Sequence, residues 1–264
     1  MISQEKMTGK RALWFAVMTF AFTYATWGLV ALNPAGWFSY DSPQGMILWI
    51  LGGFSPAIVM FALIKKWGKT KEERACFKPI FRTARGWKPA MLVTGLYLAA
   101  YLGIAITVSE RVEPWYMLVA YFPVMIVGGG LEEIGWRGFF QPAMERKLPF
   151  WLAAPIVGVI WAAWHIPLWF IPGTFQANAD LNFLVYAVFC VFLSYILGAL
   201  QRLTGNVAAS ISFHAWVNVM FSVFMFSPFL EGENIALLMG LMTGFAVAAT
   251  ASVYICKRLG GSRS

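Results

Sequence analysis

Five side chains in this sequence are of the types needed to hydrolyse an amide: Glu132, Glu133, His165, His214 and Asn218. The two glutamates are adjacent, in Gly128-Gly129-Gly130-Leu131-Glu132-Glu133-Ile134-Gly135-Trp136-Arg137, inside an otherwise apolar stretch. Charges at membrane depth cost about 2.5–3.5 kcal/mol each on insertion scales, so they are rare unless they serve a function. Glu133 and Arg137 are four apart and can pair on one helix face, and His214 and Asn218, also four apart, can point into one cavity. The chain has only two histidines, and both fall within apolar segments. Trp161 stands one turn before His165, where it can shield or orient the imidazole.

A buried carboxylate that is not tied up in a pair can act as a general base near neutral pH, and a neutral imidazole can share its water. A second histidine and an amide can donate hydrogen bonds to a developing oxyanion. Together these parts describe amide hydrolysis inside the membrane by an activated water. Ser210 shares a helix face with His214, but that pairing leaves the glutamates without a role, and no other serine or cysteine makes a convincing nucleophile pair. Two histidines with carboxylates also suit zinc, with Glu132, His165 and His214 as the candidate ligands. The helical H-E-x-x-H spacing is absent, so such a site would have to be assembled across helices. Helix packing is the competing explanation: a neutralised Glu133–Arg137 pair, and histidines donating to neighbouring carbonyls. It serves for any one residue and poorly for the set. Gly128, Gly129 and Gly130 fit either a close helix contact or a flexible approach to a site.

The elements that must position these residues are transmembrane helices. The 264 residues are 59% hydrophobic and 17% aromatic, with 12% charged, about half the charged fraction of a soluble domain. Apolar runs long enough to cross about 30 Å of hydrocarbon lie near 11–32, 45–66, 88–108, 115–140, 150–171, 181–200, 205–226 and 234–256. The expected fold is therefore all-α, a polytopic bundle of about eight transmembrane helices forming one integral membrane domain over 1–264, with a catalytic core at about 115–226. The first run is longer than the apolar region of a signal peptide and reads as a retained span. Pro56, Pro123, Pro155 and Pro167 should kink spans or mark their ends.

Loop charges set the orientation. Eighteen of the twenty lysines and arginines fall in the N-terminus, the tail and the even-numbered connections, nine of them in 65–88; the exceptions are Arg111 and Arg137. The positive-inside rule then puts both termini in the cytoplasm, in a cell membrane or, in a bacterium, the inner membrane. The net charge of +8 comes from these connections rather than from one soluble face, which argues against a nucleic-acid partner. Aromatic residues interleaved in 65–88 would let that loop lie on anionic lipid, although a plain cytoplasmic loop explains it as well. Cys76, Cys190 and Cys256 are scattered and odd in number, which speaks against a disulfide framework and a thiolate zinc site.

Three motifs in order, Glu132-Glu133-Ile134-Gly135-Trp136-Arg137, Trp161-Ala162-Ala163-Trp164-His165 and His214-Ala215-Trp216-Val217-Asn218, resemble those of the CPBP intramembrane proteases. That family includes the type II CAAX prenyl endopeptidases and the bacterial Abi-type bacteriocin-processing or immunity proteins. The resemblance covers about 115–226, and the flanking helices add only hydrophobicity to it. It implies that Glu132 activates a water with His165, that His214 and Asn218 form the oxyanion site, and that Glu133 and Arg137 orient or neutralise the site. Trp161 stands where the family often has Phe, so an aromatic is retained. The family is often labelled metallo-type, yet the same residues can work without metal. The metal-free route is favoured here because four strong ligands are not at hand once Glu133 pairs with Arg137.

The implied partners are membrane lipid and a membrane-embedded or lipidated peptide: a prenylated C-terminus, a bacteriocin leader or another membrane-bound peptide. Two other classes of function compete. Intramembrane Glu, His and Arg also mark ion- or solute-coupled transporters, but transporters with internal repeats carry polar sites in both halves, and this chain has its set only in the second. A catalytically idle, peptide-binding immunity protein would tolerate decay of the motifs, and none looks degraded.

Overall fold

With no water in the bilayer core to satisfy a peptide group, an apolar chain of this kind closes its backbone hydrogen bonds within helices. The computed structural model describes residues 4–33, 36–67, 95–96, 98–99, 102–103, 111, 113–178, 181–224 and 234–261. Among them the long elements are α1 (Gln4–Leu32), α2 (Pro43–Trp67), α3 (Met117–Gly128), α4 (Phe150–Trp164), α5 (Phe183–Thr204), α6 (Val207–Val223) and α7 (Asn234–Gly261). There is no strand among the described residues, only a single bridge between Arg111 and Phe224. Six helical segments are long and apolar enough to cross a membrane, with α3 and its continuation to Glu145 counted as one; α6 is a shorter apolar helix. Seven of the eight expected spans thus have a counterpart. Most of the third, expected at 88–108, and most of the basic 65–88 connection lie outside the described residues, as does Cys76. Cys190 and Cys256 are free thiols.

Small residues and cross-helix hydrogen bonds bring the helices together, as membrane packing requires. α4 packs on α5, where a Cβ on Gly158 would come 2.6 Å from Val191 Cα. The Ser194 hydroxyl donates to the Ala154 carbonyl at 2.7 Å across the same contact. α1 pairs with α2 through Thr23, which bonds the Ser55 hydroxyl and donates to the Gly52 carbonyl, and through the Trp27 indole, which donates to the Trp49 carbonyl at 2.8 Å. The Trp164 indole ties α4 to this pair by donating to Thr23 at 2.6 Å. α5 also touches α6 and α7, while α3 lies along α6.

The turn from α5 to α6 is written in two residues. Gly205 takes the left-handed conformation (φ 61°) that ends α5, and Asn206 caps α6 by accepting from the Ala208 amide. Pro56, Pro123 and Pro155 lie inside α2, α3 and α4, and Pro167 opens the short 3₁₀ segment Ile166–Phe170 that follows α4.

Candidate active site

The site begins where α3 stops being a regular helix. After Gly128 the chain passes through a 3₁₀ turn (Gly130–Glu132), one α-turn (Glu133–Gly135), a π-helical turn (Trp136–Phe140) and a last α-turn (Gln141–Glu145). Such insertions are frequent at functional sites because they re-aim side chains that a regular helix would send elsewhere. The glycines explain the local path. A Cβ on Gly129 would collide with the Asn218 amide, one on Gly130 would sit 2.8 Å from the Ile211 carbonyl oxygen, and one on Gly135 would sit 2.5 Å from the Pro56 carbonyl. Gly129 and Gly130 therefore serve close contact with α6, and Gly135 close contact with α2, whereas Gly128 has room around it.

Glu132 and His165 face each other, with Glu132 Oε2 3.9 Å from His165 Nε2. Counting 1.5 Å per residue from the cytoplasmic helix ends puts Glu132 about 12 Å deep, His214 about 14 Å and His165 about 22 Å. The broken geometry after α3 and the position of His165 at the very end of α4 remove that apparent gap. The Trp161 indole donates to Glu132 Oε2 at 3.0 Å, and His165 Nδ1 lies 2.9 Å from the Trp161 carbonyl. A carbonyl can only accept, so Nδ1 carries the proton and Nε2 of the neutral ring offers a lone pair toward Glu132. Trp27, Trp161, Trp164 and Tyr186 surround the imidazole with their rings.

Behind this pair lies a second layer. Glu133 is fully buried; its carboxylate pairs with Arg137 Nη1 at 3.1 Å and accepts from His214 Nδ1 at 2.8 Å. His214 is thus held by a carboxylate as His165 is held by a carbonyl, and its Nε2 is left toward Gly129 and the Asn218 amide. The Arg137 guanidinium lies over the Trp161 ring, 4.7 Å from its centroid. Its Nε and Nη2 find no hydrogen-bond partner among the described residues, so the ring face and Glu133 are what hold this charge in the interior. Ser210 donates to the Leu197 carbonyl at 2.9 Å and is occupied as a packing hydroxyl.

A cavity of about 400 Å³ collects Glu132, Trp161, His165, His214 and Asn218 on its wall. Sequence reasoning singled out all five. The remaining two, Glu133 and Arg137, are buried next to that wall and touch it through His214 and Trp161. The sequence reading missed part of the lining: Tyr186 and Cys190 on α5, Gln176 after α4, Trp27 and Trp49 from the first two helices, and Tyr40 from the connection between them. Tyr186 and Cys190, four apart on α5, had the same i,i+4 signal as His214 and Asn218, but a tyrosine and a cysteine in an apolar helix read as packing.

Two similarities to known proteins bear on this chain. Residues 113–220 match the family model described as type II CAAX prenyl endopeptidase Rce1-like. The chain is also 23% identical over 192 residues to the CAAX prenyl protease 2 of Methanococcus maripaludis, a match covering 67% of this chain and 68% of that relative. The chain is thus similar, through its second half above all, to the CPBP/CAAX proteases. Its six helices long and apolar enough to cross a membrane, among the described residues, fit the lipid setting of those membrane proteases.

Within this family the label metallo-type raises the question of zinc. Three donors converging on one point, with a fourth place for water, are the least a catalytic zinc needs. Among the described residues no three His, Cys, Asp or Glu side chains are grouped in that way. Glu133, which might have completed such a set, is committed to Arg137 and His214. The donors as placed do not fit a zinc ion.

Proposed function

We propose that this chain is an intramembrane endopeptidase in which Glu132 and His165 activate a water to attack a peptide carbonyl. The observation that carries the reading is the pair itself: a carboxylate and an imidazole lone pair 3.9 Å apart on the wall of a cavity. That spacing is too long for a direct hydrogen bond and suits one water bridging both groups. Glu132 takes the water's proton as the oxygen attacks, and returns it to the departing amine. His165, whose neutral Nε2 can only accept, orients the second O–H of the same water.

The tetrahedral oxyanion falls to Asn218, whose amide is a ready donor, and to His214. With Nδ1 turned to Glu133, His214 donates from Nε2 only as an imidazolium, and the Glu133 carboxylate is the countercharge for that form. Arg137 neutralises Glu133 in the resting site. No step is routed through a metal. The catalytic core is taken as about 115–226 within a single membrane domain, with both termini in the cytoplasm. The substrate class is a membrane-embedded or lipid-modified peptide, for which the largely apolar cavity is suited.

The test is purified wild type against Glu132→Ala on a library of membrane peptides, including prenylated C-termini and leader peptides, with and without a zinc chelator, read by mass spectrometry. Cleavage should vanish in the variant and survive the chelator. Full activity of Glu132→Ala would overturn the reading, and loss of activity with the chelator would replace it by a metal mechanism. Reporter fusions at each terminus should both report the cytoplasmic side.

A further inference from the structure

Trp161 touches more of the site than any position assigned to it by spacing alone. Its indole N–H donates to Glu132 Oε2 at 3.0 Å, and its carbonyl accepts from His165 Nδ1 at 2.9 Å. Its ring lies under the Arg137 guanidinium and meets the His214 ring edge-on, 5.2 Å between centroids. The ring is 2% exposed and has no room to swing.

We propose that the Trp161 indole N–H is a positioning group for the water-activating carboxylate, a role that the ring of a phenylalanine at this place could not fill. The inference rests on the reading of Glu132 as the base. Arg137, the cation on the same segment, is turned to Glu133, so the indole is the donor that pins the Glu132 carboxylate. The oxygen it holds, Oε2, is the one that faces His165 Nε2. One residue thereby fixes both partners of the water: the carboxylate through its side chain, the imidazole tautomer through its main chain. Without the N–H, the carboxylate could rotate and carry Oε2 away from the imidazole, while the carbonyl contact to His165 would remain.

The test replaces Trp161 in the full-length protein by 3-benzothienylalanine, which keeps the bicyclic shape and exchanges the N–H for sulfur. Trp161→Phe and Glu132→Ala are prepared alongside. A hydrogen bond to a charged group sets the expected loss: kcat should fall about 10- to 100-fold, with KM within about twofold and an unchanged melting midpoint. Trp161→Phe should fall at least as far. Wild-type kcat in the benzothienyl variant, with Glu132→Ala inactive, would overturn the proposal and leave the role of Glu132 standing. An active Glu132→Ala would remove both. A readout independent of turnover is the indole ¹⁵N–¹H resonance of Trp161, assigned by its loss in Trp161→Phe. It should move upfield in Glu132→Ala as the carboxylate acceptor is removed, and an unmoved resonance overturns the hydrogen bond.

Discussion

Glu132 and Glu133 are neighbours in the chain and belong to different layers of the protein. Glu132 lies on the cavity wall, bonded by one indole N–H and facing an imidazole lone pair. Glu133 lies behind it, fully buried between Arg137 and His214. The first carboxylate has unused acceptor capacity on the side where a substrate would sit; the second is turned to a cation and an imidazole, away from the cavity. Adjacent identical residues on a helix project about 100° apart, and here the 3₁₀ and π turns decide which faces the cavity. What separates a base from a structural anion is its surroundings rather than its residue type.

The sharpest way to break this comparison is to neutralise each glutamate in turn. Glu132→Gln should lower kcat by about a hundredfold to ten-thousandfold, the range for loss of a general base. Its folding in detergent should be close to wild type, since an amide still accepts from Trp161. Glu133→Gln should act first on stability. Breaking a buried pair from one side costs about 3–5 kcal/mol, because the partner charge, here Arg137, is left without compensation. Thermal unfolding followed beside turnover tests both, and equal profiles for the two variants would erase the two-layer distinction.

Asn218→Ala sharpens the comparison from the opposite wall. Loss of one oxyanion donor typically costs about 10²–10³ in kcat, and the variant should keep its KM because the amide is needed only once charge develops. A change confined to KM would move Asn218 from the oxyanion site to ground-state binding.

The sequence made the cavity wall more legible than its supports. Apolar run lengths located seven of the described helices, because spanning hydrocarbon leaves a pattern that no loop imitates. The pairing of Glu133 with Arg137 and the joint facing of His214 and Asn218 followed from i,i+4 spacing. Three things escaped. The depth of His165 could not be judged by counting residues, since that arithmetic assumes regular helices and the site is built where two helices end or unwind. The contribution of Trp27, Tyr40 and Trp49 was invisible because aromatic residues in the first two helices and their connection look the same whether they face lipid, core or cavity. The bond from Trp161 to Glu132 joins residues 29 apart, and no local spacing rule reaches that far.

The smallest expected effects distinguish glycines that look alike in sequence. Gly128 and Gly130 flank Gly129, and either could be read as a helix-contact glycine or as a hinge. A methyl on Gly130 would meet the Ile211 carbonyl oxygen at 2.8 Å and Ile211 Cγ2 at 3.1 Å. The carbonyl belongs to the backbone of α6 and cannot rotate aside, so Gly130→Ala should cost about 1–3 kcal/mol, as over-packing does. A methyl on Gly128 would find only the Met125 sulfur at 3.8 Å, an ordinary contact. At the last position of α3, Gly128→Ala should gain up to about 1 kcal/mol of helix propensity instead. Melting midpoints measured side by side should therefore move in opposite directions. If both fell, the glycines would matter for the freedom of the chain after α3. If only Gly130→Ala fell, close approach to α6 would be the reason this segment can present Glu132 to the cavity at all.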